Sequence, residues 1–249
     1  MIELKEVSKS YGAANVLTNI SLTVEPGEFV CITGPSGAGK STLLHLLTGA
    51  EQVDSGTIEI DGVDLRIVPP RALQIFRQRL GIVFQDYKLL KNLTVAENIA
   101  FPLEVCGIDD AQIERTVRAV LDRMELEAQA NTLPNVLSGG QKARTAIGRA
   151  VAHDPLILLA DEPTGNIDPD QSAIIMQLFK EINASGTTVI IATHDTGLVD
   201  ALQTRVVELR DGNIARDSKG GYSAAKAPLK KVVSAATDKK KVKITALRS

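Results

Sequence analysis

The chain has 249 residues, 44% of them hydrophobic and 23% charged, with a formal net charge of −2. That is an ordinary globular composition, long enough for one large domain or a domain with a subdomain. With no Trp, five Phe and three Tyr, it is too poor in aromatics for a carbohydrate-binding or base-stacking surface.

Charges at Glu3, Lys5 and Glu6 interrupt the apolar stretch that an export signal needs. No apolar run reaches the ~18–20 residues that span a bilayer, so any membrane role is expected to be peripheral. Cys31 and Cys106 are the two cysteines, which make neither a disulfide framework nor a zinc site. Cys31 lies in an apolar run and reads as a small core residue. The net charge hides an asymmetry. From Asp217 onward there are nine Lys/Arg and two Asp/Glu, a net +7, against 28 and 30 in the whole chain, which leaves −9 upstream.

Residues 2–7 and 16–24 alternate apolar and polar side chains and are predicted strands. Residues 29–33 form a continuous apolar run ending at glycine, the pattern of a buried central strand. A helix is predicted over 40–49, and short strands over 57–60 and 81–84. The stretch 86–137 differs in character. Helical spacing over 94–104 is broken by Pro102, and 109–124 is amphipathic, with Ile113, Val117, Val120, Leu121 and Met124 on one face. This predicts a helical subdomain inserted into an α/β body and continuing into a helix over 138–152. Strands over 156–160, 188–192 and 205–209 alternate with helices over 170–184 and after Thr196, which implies a largely parallel, covered sheet. The folded domain is expected to span 1–216. Residues 217–249, rich in Ala, Ser, Lys and Gly, have the composition of a flexible basic tail.

Gly34-Pro35-Ser36-Gly37-Ala38-Gly39-Lys40-Ser41-Thr42 matches the phosphate-binding P-loop. Its glycines let several backbone N–H groups turn inward, and the following helix adds its positive end. Lys40 supplies a charge for the terminal phosphates, and the Ser41 hydroxyl suits Mg2+. Residues 157–162 read Ile-Leu-Leu-Ala-Asp-Glu, a buried strand that delivers two acids at its C-terminal end. Asp161 is placed to hold Mg2+ directly or through water, and Glu162 is available as a base or polariser for the attacking water. Leu137-Ser138-Gly139-Gly140-Gln141, taken alone, is a serine N-cap opening a helix. Beside the other two motifs it supplies a hydroxyl, glycine N–H groups and a helix N-terminus as a second γ-phosphate clamp. Lying next to the helical insert, it serves the P-loop of a second chain more readily than its own.

In this order the motifs resemble those of ABC-type ATPase domains, and the resemblance covers about residues 1–216. It implies a P-loop NTPase fold of the ABC-ATPase kind: α/β, with a mixed sheet, an antiparallel β edge subdomain and an inserted helical subdomain. It implies ATP and Mg2+ as ligands and a homodimer formed on ATP binding. Tyr11 takes the place of the adenine-stacking aromatic. Gln85 takes that of the glutamine that touches Mg2+ and the water. Gly165-Asn166-Ile167-Asp168 matches the loop that crosses between paired chains, and His194 the switch histidine at the γ-phosphate. Glu162, His194 and Lys40 are then the catalytic candidates. Ser41, Gln85 and Asp161 are the metal candidates. Tyr11, the loop Gly34 to Thr42, Gln85, Ser138, Gly139, Gly140 and Asp168 are the nucleotide contacts.

Residues 84–90, 93–103 and 159–166 are similar to the FtsE family of cell-division ATPases, and the short 11–16 segment agrees with it. The last of these stretches is shared with lipoprotein-releasing and macrolide-export ATPases, which stand as the alternative. The FtsE resemblance implies an FtsX-like integral membrane subunit, a place at the cytoplasmic face of the cell membrane, and control of cell-wall hydrolases without solute transport. The docking surface is expected beside Gln85 and the 87–103 stretch. The basic tail reads as a solvated extension or as a contact for anionic lipid; a nucleic-acid partner is not expected. After the signature the chain departs from the common family pattern, reading Gln141-Lys142-Ala143-Arg144-Thr145-Ala146-Ile147-Gly148-Arg149. Arg144 is kept. Gly148 costs about 1 kcal/mol of helix propensity against Ala, and close packing is the expected reason for it.

Overall fold

The computed structural model describes residues 1–223. β1 (Ile2–Tyr11) and β2 (Ala14–Val24) pair antiparallel, with Ile2 opposite Val24 and Tyr11 opposite Ala14. Then come β3 (Phe29–Thr33), α1 (Lys40–Leu47), β4 (Ser55–Ile60), β5 (Val63–Asp64), α2 (Pro70–Arg77) and β6 (Leu80–Val83). The inserted helices are α3 (Val95–Val105) and α4 (Asp110–Arg123), followed by single 3-10 turns at Glu127–Gln129 and Pro134–Val136, and by α5 (Gly139–Val151). The chain closes through β7 (Ile157–Asp161), α6 (Pro169–Ala184), β8 (Thr188–Ala192), α7 (Thr196–Leu202), β9 (Arg205–Arg210) and β10 (Asn213–Ser218).

Two sheets result. The smaller has the order β2-β1-β4-β5 and is antiparallel throughout. The larger has the order β10-β9-β3-β8-β7-β6; its strands run parallel except for β10, antiparallel on the edge. This is the mixed sheet with an antiparallel β subdomain that the sequence predicts. Strands β3 and β8 are buried at every position because both faces of the large sheet are covered. Phe29 and Cys31 point into a core shared with α3, α5 and α6, whereas Val30 and Ile32 point into a second core under α1 and the small sheet. Burial pushes the Cys31 thiol up to about 11, which fits an unreactive core residue.

The helical insert packs on α5 through small side chains. A Cβ added at Gly148 would meet Val120 Cγ1 at 3.0 Å, Met124 Cγ at 3.2 Å and Ile99 Cδ1 at 3.4 Å, so the glycine permits the close approach of α3, α4 and α5. Arg144 pairs with Glu125 at 3.0 Å across the same junction. Asn98, fully buried in α3, pins the preceding loop. Its Nδ2 donates to the carbonyls of Leu90, Leu93 and Thr94, and its Oδ1 accepts from Leu90 N–H.

Three expectations change. Pro102 does not break the helix: α3 runs through it, and Cys106 N–H closes on the Pro102 carbonyl at 3.0 Å. The capping box of Thr94 and Glu97 and the burial of Ile99 and Leu103, at about 1.5–3 kcal/mol per side chain, outweigh the missing donor. α2 has no counterpart in the hydropathy reading, because Phe76 is its only buried residue; Pro70 at its first turn starts it. The folded body also passes the expected boundary at Arg216. β10 continues to Ser218, and Tyr222 packs against the core under the Arg216 guanidinium, 4.2 Å from the ring centroid. Most of the basic tail expected over 217–249, with its lipid contact, lies outside the described residues.

Candidate nucleotide-binding site

The P-loop leaves the C-terminal end of β3, where an α/β sheet presents ligands. A Cβ at Gly34 would stand 2.2 Å from the Leu209 carbonyl oxygen, and one at Gly39 would stand 2.6 Å from Leu17 Cδ2. Both residues have positive φ, 144° and 98°, so only glycine fits. The loop turns into α1, and Lys40 Nζ donates to the carbonyls of Gly34 at 2.9 Å and Pro35 at 3.1 Å. The ammonium is thus held inside the loop it serves.

A cleft of about 570 Å³ opens over this loop, lined by Val16, Pro35, Ser36, Gly37, Gly39, Lys40, Ser41, Thr42, Gln85, Glu162 and His194. Sequence positions from five separate segments therefore meet in one place. Glu162 follows β7 with φ 45°, held by its N–H on the Ala192 carbonyl at 2.8 Å. Its Oε1 lies 2.8 Å from His194 Nδ1 and 3.8 Å from Lys40 Nζ. A carboxylate only accepts, so Nδ1 carries the proton between them. Asp161 lines an adjoining cavity of about 480 Å³ rather than the cleft itself. Its buried Oδ1 has no hydrogen-bond partner, as suits an oxygen that serves a cation. Among the described residues no cluster of three or more His, Cys, Asp or Glu is set to hold a metal. Ser41 and Gln85 line the cleft, and a hydroxyl, an amide and the unpartnered Asp161 carboxylate oxygen are donors of the kind Mg2+ takes.

Gln85 sits at the head of a loop under backbone strain: Tyr87 and Lys88 have φ of 60° and 43°. Arg149 of α5 secures it, donating to the Tyr87 carbonyl at 2.7 Å and the Lys88 carbonyl at 2.8 Å. Asn166 Nδ2 donates to the Gln85 carbonyl at 3.2 Å, joining this loop to the 165–168 segment.

The remaining predicted contacts stand outside the cleft. The Ser138 hydroxyl accepts from Gln141 N–H at 3.2 Å, and Ser138 N–H donates to Gln141 Oε1 at 2.9 Å, a capping box for α5. Gly139 and Gly140 pack so closely on Ile167 and Gln171 that a Cβ would stand 2.8 Å and 2.6 Å from them. Asp168 caps α6 through Gln171 N–H at 2.9 Å. Tyr11 ends β1, 46% exposed, with its hydroxyl on Glu51. The sequence gives no role to Glu51, Arg149 or Asn98, whose parts depend on distant segments meeting.

A further groove, about 270 Å³, lies between α2, β6, α3 and α5, with Phe101, Pro102, Val105, Cys106 and His153 along it, and Arg149, which holds the Tyr87 and Lys88 carbonyls, on its wall. Phe101 and Val105 are 41% and 57% exposed.

A P-loop between a buried strand and a helix, facing a Glu–His pair across one cleft, defines a nucleotide-binding cassette of the P-loop ATPase class. The sequence profile of the ABC transporter family matches residues 17–165. The chain is 45% identical over 226 residues to the cell division ATP-binding protein FtsE of Bacillus subtilis, covering 90% of this chain and 99% of that one. It is 46% identical over 223 residues to FtsE of Mycobacterium tuberculosis (89% and 97% covered), and 42% over 215 residues to FtsE of Escherichia coli K12 (86% and 97% covered). Among solved structures it superposes with TM-score 0.81 and 37% identity on a dimeric ATP-binding cassette in a post-hydrolysis state bound to ADP and Pi, covering 88% of this chain and 98% of that one. The chain belongs to the ABC transporter family and, within it, to the FtsE family of cell-division ATP-binding proteins. It is an ATPase.

Proposed function

We propose that the chain is the ATPase half of an FtsEX-like complex, in which ATP-driven dimerisation moves a membrane partner that regulates cell-wall hydrolysis. ATP lies with its base on Tyr11 and its phosphates in the Gly34–Thr42 loop. Ser138 and Gly140 of a second copy close on the γ-phosphate, so two ATPs are sandwiched head to tail. Glu162 polarises the attacking water. The His194 Nδ1 proton on Glu162 orients the carboxylate. Lys40 neutralises charge on the transferring phosphoryl group. Mg2+, held by Ser41, Gln85 and Asp161, would neutralise charge on the phosphate oxygens. Loss of the γ-phosphate removes the group that both copies hold, and the dimer opens.

The observation that carries this reading is the Glu162 Oε1–His194 Nδ1 pair, 2.8 Å apart and facing Lys40 in one cleft. A single chain keeps its Ser138 outside that cleft, which supports completion by a second copy. The half-exposed Phe101 and Val105 in the groove walled by Arg149 support docking of an FtsX-like subunit there at the cytoplasmic membrane face. Co-purification tests this: an FtsX-like protein should come down with the wild-type chain and be lost with Phe101→Glu. Capture of a transport permease instead would assign the chain to the lipoprotein- or macrolide-type alternative.

A further inference from the structure

Glu51 joins two parts of the molecule that the nucleotide chemistry treats separately. It lies just past the C-terminal end of α1, the helix that begins with Lys40. Its carboxylate accepts the Tyr11 hydroxyl, and stands 3.4 Å from His45 Nδ1 and 3.9 Å from Lys9 Nζ. Lys9 is itself anchored on the Gln52 carbonyl at 2.8 Å and lies 5.5 Å from the Tyr11 ring centroid. A tyrosine 46% exposed at the last position of its strand would otherwise rotate freely about both side-chain torsions. Here its polar end is fixed from the segment that follows the phosphate helix and its ring is flanked by a cation.

We propose that Glu51 is a positioning residue for the nucleotide base: it holds the Tyr11 ring in one orientation, so that the aromatic platform is set relative to the phosphate loop before ATP arrives. Pre-ordering a binding side chain removes an entropy loss from the binding step. The proposal rests on the reading of Tyr11 as the base platform. It predicts an effect confined to ligands that carry a base.

The test uses the full chain with Mg2+ and two probes, ATP and inorganic tripolyphosphate, which has the phosphates without the base. Tyr11→Ala reports on the platform; Tyr11→Phe and Glu51→Ala break the tether; Glu51→Gln keeps an acceptor of the same shape. Loss of the tether should raise the KM for ATP about fivefold, the scale of one typical intramolecular hydrogen bond, with kcat within about twofold. Tripolyphosphate affinity should not move, and Glu51→Gln should recover most of the loss. The double variant Tyr11→Phe/Glu51→Ala should be no worse than either single one, since both cut the same bond. Weaker ATP binding in Tyr11→Ala alone, with Tyr11→Phe and Glu51→Ala unchanged, would overturn the positioning role and leave the platform standing. No effect of Tyr11→Ala would remove the platform reading and the proposal with it. A parallel loss of tripolyphosphate affinity in Glu51→Ala would overturn the proposal by placing Glu51 in support of the phosphate loop.

Discussion

His194 Nδ1 stands 2.8 Å from Glu162 Oε1, and the same oxygen stands 3.8 Å from Lys40 Nζ. The three groups differ in exposure: the Glu162 and Lys40 side chains are 11% and 8% exposed, the imidazole 67%. A nearly buried carboxylate is thereby presented to the cleft by a partner that solvent and ligand can reach. The positive φ of Glu162 stores about 1–3 kcal/mol of strain, of the kind kept where side-chain direction matters. Glu162→Gln keeps the shape and removes the base. Phosphate release should fall at least about a hundredfold, with ATP affinity within a few-fold of wild type. Normal turnover in that variant would remove Glu162 from the mechanism.

Lys40 reaches back to the Gly34 and Pro35 carbonyls, so its charge sits at the centre of the loop. Lys40→Ala should abolish productive ATP binding in a titration monitored by calorimetry. The melting temperature should change little, because the loop shape is set by glycine backbone geometry.

Arg149 should matter to the Gln85 loop more than to the chemistry. Arg149→Met leaves the Tyr87 and Lys88 carbonyls without their donor and a strained turn unsupported. About 2 kcal/mol of stability should be lost, read by urea denaturation. Faster amide exchange should be confined to the loop over 86–93.

Gly148→Ala sets two effects against each other. Helix propensity gains about 1 kcal/mol, while the new methyl must displace Val120 Cγ1 at 3.0 Å and Met124 Cγ at 3.2 Å, an overpacking of about 1–3 kcal/mol. The balance predicts a net loss of about 1 kcal/mol, measured as a lower urea midpoint at unchanged slope.

His153 carries a pH prediction. Its Nε2 donates to the Leu80 carbonyl at 3.2 Å, and Nδ1 is buried without a partner. Burial holds its pKa below the ordinary 6.5. The folded state therefore resists a proton that the unfolded chain accepts. Stability is full above pH 6.5 and declines as pH falls from there toward the lowered folded value. His153→Gln should flatten that part of the stability–pH curve in chemical denaturation run from pH 7.5 to 5.

The residues proposed to act on the phosphates were legible as candidates because they are written in contiguous segments. Gly34 to Thr42, and Asp161 with Glu162, carry their chemistry in adjacent side chains, and the apolar runs before them are what a doubly covered sheet requires. The parts not legible depend on partners far along the chain. Tyr11 and Glu51 are 40 residues apart, and Arg149 reaches the carbonyl of a residue 62 positions earlier. No local pattern encodes such pairs. α2 escaped because one buried Phe76 makes no periodicity, and β10 because its exposed strand pairs through backbone rather than an apolar face. Pro102 misled because a missing donor near a helix end is tolerated when the same turn buries Ile99 and Leu103.

The central claim is that the site is completed by a second copy of the chain. Sedimentation of Glu162→Gln with ATP and Mg2+ tests it most directly. Mass should double with ATP, stay that of a monomer with ADP, and return to monomer when Ser138→Arg is added to the same chain. A monomer with ATP, or a dimer indifferent to nucleotide and to Ser138→Arg, would contradict it.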